Sequence, residues 1–199
     1  MPPTRPLLTS AALFGLAIAA CDPAPPAPAP VLAAADSLAD STVAPAFELD
    51  VQGVRQARAT IEPVGRGDAS GTIALTRVPG GVRVLAELSG LSPQGFHAVQ
   101  VLRARGCDGD PGIHLGAETG APHGGIYSPP GLRHAGDLGN IRGDGRRGRY
   151  DRVDPVLPLD GTGSAVGRAV VVRAAPDDAA SPDGAAGDVI GCGVFEVVR

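Results

Sequence analysis

The chain has 199 residues, with 29 Gly, 20 Pro, no Trp and 3% aromatic residues. That composition fits short strands joined by many turns and excludes an architecture of long helices. The net charge is −4 and every basic residue is an arginine, so the broad basic face that nucleic acid demands is missing.

Residues 1–20 read as a secretory signal, with Arg5 as the positive start and Ala11 to Ala20 as a short apolar run. The run is too short for a membrane span, which needs about 20 apolar residues. Ile18-Ala19-Ala20-Cys21 has the form of a bacterial lipobox, so Cys21 is expected to become an acylated N-terminus. The expected product is a cell-envelope lipoprotein held to a membrane by its lipid and facing the periplasm or exterior. Ordinary cleavage, leaving a free cysteine, is the alternative. Residues 21–46 are rich in Pro, Ala and Ser, which favours an extended tether. Residues 47–199 are then expected to form one folded domain.

Within that domain, alternation of apolar and polar residues predicts strands. Thr72 to Thr76 and Val82 to Leu88 form one pair, joined through Val78-Pro79-Gly80-Gly81 as a hairpin. Gly95 to Val101, Ala169 to Val172 and Val189 to Val198 are further strands. Leu102 to about Arg149 shows little periodicity and reads as one long irregular excursion, which compact domains tolerate only when something holds it. Seven or eight antiparallel strands in an all-β sandwich or flattened Greek-key barrel, with long metal-binding and disulfide loops, is the expected fold.

Two features supply the hold. Cys107-x6-His114-x8-His123-x10-His134-x2-Asp137 gathers three of the four histidines and a carboxylate into one array. Imidazole nitrogens with one carboxylate oxygen suit zinc, and a bound ion would organise Gly/Pro-rich sequence that orders itself poorly. With Cys21 acylated, Cys107 and Cys192 are an even remainder in an oxidising compartment, so a disulfide is expected. Arg146-Arg147-Gly148-Arg149 reads as a solvated turn, and Tyr127 as a residue packing the loop.

Several segments resemble the copper/zinc superoxide dismutase family, in the family's order. They are Ser70-Gly71-Thr72, Leu88-Ser89-Gly90-Leu91, Gly95-Phe96-His97, His134-Ala135-Gly136-Asp137-Leu138-Gly139-Asn140, Gly167 to Val172, and Cys192-Gly193-Val194. The resemblance implies an eight-stranded Greek-key barrel. It implies a zinc site of His114, His123, His134 and Asp137, with His114 as the imidazolate that bridges copper and zinc. A second alignment makes His123 the bridging residue and leaves zinc one ligand short. Cys107 and Cys192 match the family's disulfide. Asp177 matches a carboxylate that links a copper-side histidine to a zinc-side one, here His97 and His123.

The copper side departs from the family. Its two histidines at i and i+2 of the Gly95–Val101 strand fall on His97 and Val99, and a later one falls on Arg173, which leaves His97 and His114 as residual copper positions. Val99 has no lone pair and Arg173 does not shed its proton. Arg173 is either a solvated replacement or an anion-binding group. The family's steering arginine is replaced by Val189. The expected function is therefore a zinc-binding, lipid-anchored superoxide dismutase-like protein whose dismutase chemistry is lost, with zinc as cofactor and copper not expected. An active dismutase converting superoxide to oxygen and hydrogen peroxide is the alternative, and a zinc or copper carrier is another. A homodimer is compatible with the resemblance, and the sequence names no protein partner.

Overall fold

The computed structural model describes residues 52–108 and 112–199. The signal at 1–20, the acylation site at Cys21 and the tether at 21–46 lie outside the described residues. Nine strands follow in chain order: β1 (Gln56–Pro63), β2 (Ser70–Val78), β3 (Gly81–Ser89), β4 (Phe96–Val101), β5 (Asp137–Arg142), β6 (Arg147–Asp154), β7 (Ala169–Arg173), β8 (Val189–Val194) and β9 (Glu196–Val197). Eight of them form one path in the order β5-β4-β7-β8-β1-β2-β3-β6, with every pairing antiparallel, and β9 adds to β1. The two ends of that path, β5 and β6, approach one another, so the sheet is a nearly closed Greek-key barrel. Among the described residues no helix is long and apolar enough to cross a membrane.

Period-two alternation decides which side chains enter the barrel. β1 turns Ala57, Ala59 and Ile61 inward, and β3 turns Val82, Val84, Ala86 and Leu88 inward. Small alanines and larger Ile73, Leu75, Leu138 and Ile141 share this core with a single buried aromatic, Phe195, among the described residues. Each fully buried Val, Leu or Ile contributes about 1.5–3 kcal/mol. The hairpin expected at Val78 to Gly81 is present, and it turns through left-handed backbone at Gly80, where φ is 89°.

Two strand expectations need correction. The stretch from Leu102 to Arg149 is not irregular throughout, because β5 and the start of β6 lie within it. Both strands carry glycine and charge where an alternating apolar pattern would announce them: Asp137-Leu138-Gly139-Asn140 and Arg147-Gly148-Arg149. The expected terminal strand is two strands, broken at Phe195, whose side chain is wholly buried in the barrel core.

A smaller apolar cluster lies apart from the main core. Leu102, Ala169, Val171 and Cys192 form it, with Val64, Ala104 and Val189 packed against it. Val99 and Val101 of β4 belong to the main core, whereas Leu102 belongs to this second cluster. β4 therefore presents odd positions to the interior and even positions from Gln100 onward to the opposite face.

Candidate metal centre

The long connection between β4 and β5 is fixed at three places. Cys107 is disulfide-bonded to Cys192 of β8, which ties the start of the connection to the barrel. His114 pairs with Leu102 by an isolated antiparallel bridge, and Leu115 N donates to the Val101 carbonyl. Gly136 donates to the Leu115 carbonyl while its own carbonyl accepts from Val101 N. A Cβ at position 136 would stand 2.1 Å from the Val101 carbonyl oxygen, so only glycine permits this approach.

Those anchors bring His114, His123, His134 and Asp137 together, with one ligand atom from each lying within 4.8 Å of all the others. Asp137 opens β5, and its Oδ1 faces three imidazole Nδ1 atoms: His114 at 2.7 Å, His123 at 3.1 Å and His134 at 3.3 Å. Its Oδ2 accepts from the backbone N–H groups of His134 at 2.8 Å and Gly124 at 3.1 Å. Burial alone would raise the Asp137 pKa, but the His114 hydrogen bond and the His123 imidazole beside it outweigh it and hold the carboxyl well below the usual carboxylate range. Burial also opposes the charged form of His123, yet Asp137 and Asp177 together push it up to about 10.

The donor set fits zinc. The His123 and His134 Nδ1 atoms are buried and make no hydrogen bond, which is costly unless a cation takes their lone pairs. Three nitrogens and one carboxylate oxygen converging in a space of this size are the ligands zinc takes. His114 and His123 differ in what their second ring nitrogen meets. His123 Nε2 donates to Asp177 Oδ1 at 2.8 Å, whereas His114 Nε2 is buried without a hydrogen-bond partner. Of the two imidazoles, His114 is the one with a nitrogen left over on the side away from Asp137.

His97 is not part of this cluster, and Asp177 does not link it to His123. The Ser92 N–H donates to His97 Nε2 at 3.0 Å, so Nδ1 carries the proton and donates to the Arg173 carbonyl at 2.9 Å. Both ring nitrogens are committed to backbone, and no lone pair remains for a cation. Val99 is fully buried in the main core, so position 99 faces away from an outer-face metal. The positions of β4 and its extension that share the outer face are Gln100 and Leu102. Gln100, not His97, is the residue that Asp177 joins to His123: Gln100 Nε2 donates to Asp177 Oδ2 at 3.1 Å. The outer-face positions 100 and 102 thus carry a glutamine and a leucine, and Arg173 of β7 reaches the glutamine.

The surroundings of Leu102 are apolar. It lines an open pocket with Val64, Val171, Val189 and the Cys107–Cys192 disulfide, and Arg173 and Arg66 lie at its wall. Arg173 is not simply solvated, because its Nε donates to Gln100 Oε1 at 2.9 Å and its NH1 group to the Gly187 carbonyl at 3.1 Å.

Sequence reasoning missed several residues that hold the site. Arg133 is 2% exposed and makes two hydrogen bonds to the carboxylate of Asp154, at 2.6 and 2.7 Å. Its other terminal nitrogen donates to the carbonyls of His134 and Asp137, so one guanidinium ties the end of β6 to two ligand residues. An arginine directly before a candidate ligand in a glycine-rich loop was the available signal. Asn140 clamps the Asp177 backbone from both sides, accepting from its N–H at 2.7 Å and donating to its carbonyl at 3.0 Å. Tyr127 does not pack the loop: it is 95% exposed, with the Arg152 guanidinium 5.9 Å from its ring centre. Arg146 and Arg149 make exposed ion pairs with Asp68 and Asp151, as a solvated turn does.

The family model for copper/zinc superoxide dismutase (SODC) matches residues 69–195. A solved structure described as that of the clock protein EA4 is similar at 30% sequence identity and a TM-score of 0.65, over 73% of this chain and 96% of that one.

Proposed function

The chain belongs to the copper/zinc superoxide dismutase family, and from that premise we propose that it holds one structural zinc ion and does not dismutate superoxide. One observation carries this reading. Three imidazoles and a carboxylate converge in a closed, buried set, while the outer-face positions beside them carry an amide, an isobutyl group and a guanidinium.

Dismutation needs an ion that changes valence. Zinc has no accessible second oxidation state, so four zinc ligands without a copper set give no electron relay. Bound zinc would cross-link the connection carrying His114, His123 and His134 to the first residue of β5. The copper positions repel a cation instead of attracting one: Arg173 keeps its charge at every accessible pH, and Leu102 offers only hydrocarbon. Val189, where the family steers superoxide with an arginine, belongs with Leu102 to the apolar cluster. In this reading the protein acts as a non-catalytic module of the cell envelope, exported by its signal, anchored through acylated Cys21 and raised from the membrane by the 21–46 tether. A disulfide between Cys107 and Cys192 is consistent with export.

Metal analysis of the full chain, expressed in a periplasm supplied with copper and zinc, tests the proposal. The expected result is about one zinc per chain, no stoichiometric copper, and superoxide removal at the rate of free solution. One copper per chain together with superoxide removal above that background would overturn it.

A further inference from the structure

The replaced copper ligands are not merely absent imidazoles. They form a continuous hydrogen-bonded chain that ends on a zinc ligand. Arg173 Nε donates to Gln100 Oε1 at 2.9 Å, Gln100 Nε2 donates to Asp177 Oδ2 at 3.1 Å, and Asp177 Oδ1 accepts from His123 Nε2 at 2.8 Å. His123 then presents its Nδ1 to the metal cluster, 3.1 Å from Asp137 Oδ1.

We infer that Gln100 and Arg173 are positioning residues for the zinc centre, taking over from a second metal site the task of orienting Asp177 and, through it, His123. The inference rests on the zinc reading above and extends it to residues that do not touch the ion.

The chemistry of each link supports the assignment. A carboxylate behind a metal-bound imidazole fixes the ring's tautomer and rotation, and it does so only if its own second oxygen is held. Asp177 Oδ1 takes His123 and the Ala179 N–H, which leaves Oδ2 in need of a donor. Gln100 is fully buried and pairs across the sheet with both Asp137 of β5 and Val171 of β7, so its side chain starts beside the site. Its Nε2 also reaches the Asp183 carbonyl at 3.4 Å. A buried amide can flip, but here the two ends are told apart. A guanidinium only donates and a carboxylate only accepts, so Arg173 selects the oxygen and Asp177 selects the nitrogen. Arg173 thus locks the amide in the one orientation that serves Asp177. It also brings permanent positive charge to within one side chain of a buried carboxylate, where the family's copper would otherwise supply it. Gly187 O holds the other side of the guanidinium in place.

The roles of Gln100 and Asn140 are complementary. Asn140 fixes the Asp177 backbone, and Gln100 fixes the carboxylate. A histidine at position 100 could also donate to Asp177, whereas a leucine of similar volume could not.

The test uses the full chain as parent and the variants Gln100→Leu, Gln100→His and Arg173→Gln. Zinc affinity is read by competition with a chromophoric chelator, and ring geometry by the visible spectrum after cobalt substitution. Loss of a group that orients a metal-bound imidazole costs roughly 10- to 100-fold in affinity. Gln100→Leu is expected to raise the zinc Kd within that range and to shift the cobalt bands, and Arg173→Gln to do so more weakly. Gln100→His is expected to restore both readouts toward the parent, which a role in packing alone does not predict. Should Gln100→Leu fail to fold, Arg173→Gln, at a half-buried position, and the His variant still decide the matter. A parent that holds zinc, with variants matching its Kd and spectrum, overturns this inference and leaves the zinc reading standing. A parent that holds no zinc overturns both.

Discussion

At the scale of single residues, the centre is governed by competition between protons and metal for the same nitrogens. His123 lies between Asp137 and Asp177, and its pKa is pushed up to about 10, so the metal-free protein carries an imidazolium there at neutral pH. Under the proposed function zinc has to displace that proton, and each proton displaced makes binding tenfold weaker per unit of falling pH. The apparent zinc Kd is therefore predicted to rise about tenfold between pH 8 and pH 7 by chelator competition; a flat value across that interval would show that no proton is released. The metal-free fold responds with the sign set by a raised pKa. Its stabilisation by the His123 ion pairs is full below the ordinary value of 6.5 and is lost as pH rises toward about 10. The four members of the cluster could be picked out from the sequence because histidine is rare in this chain and their spacing is distinctive. Gln100 could not, since an uncharged amide in a strand gives no hint that it holds a carboxylate 77 residues away.

At the scale of elements, one strand register decides what the site contains. Placing the paired copper positions at 97 and 99 rests on the match of Gly95-Phe96-His97 to the family and on strand side chains sharing a face every second residue. The structure shifts the frame: Val99 and Val101 fill the barrel, and a bulge between Ala98 and Gln100 separates His97 from the outer-face series. This yields a gain-of-function prediction. The triple substitution Gln100→His, Leu102→His and Arg173→His is expected to acquire copper binding visible in the cupric absorption and resonance spectra, whereas Val99→His with Arg173→His is expected to lose stability without binding copper. Copper capture by the second variant and not the first would restore the original frame. β5 and β6 were illegible for a related reason. Glycine and charged residues occupy many of their positions, and they are held by pairing with β4 and β3 and not by an alternating apolar face. The tie between β6 and the metal loop is the Arg133–Asp154 pair, with both side chains fully buried. Removing one partner of a buried ion pair costs about 3–5 kcal/mol. Asp154→Ala is predicted to lower stability by about that amount in denaturant unfolding, and to weaken zinc binding as well, because Arg133 also holds the carbonyls of His134 and Asp137.

For the whole molecule, the barrel is filled mostly by small and medium aliphatic side chains, and its long β4–β5 connection is held by the Cys107–Cys192 bridge and, under the proposed function, by zinc. The Cys107–Cys192 bridge spans 85 residues, which on the chain-entropy account stabilises by about 4.5 kcal/mol. A zinc ion at a thousandfold excess over its Kd adds about 4 kcal/mol. For a domain of this size each kcal/mol moves Tm by about 2–4 °C, so reduction alone or chelation alone is predicted to lower the melting temperature by roughly ten degrees. The two effects are not independent, because Cys107 and His114 belong to the same connection, seven residues apart. The bridge restrains the end of the segment from which His114 must reach Asp137, so it lowers the entropy that zinc binding removes. Linkage requires that the bridge and the ion then favour one another equally. Chelation should therefore cost fewer degrees in reduced protein than in oxidised protein, and reduction fewer in zinc-free protein than in zinc-loaded protein. Calorimetry of the four states, with cysteine-to-serine variants replacing reductant as a control, measures the coupling directly. Strictly additive shifts would mean that the disulfide steadies the barrel alone and leaves the metal loop to find its own shape.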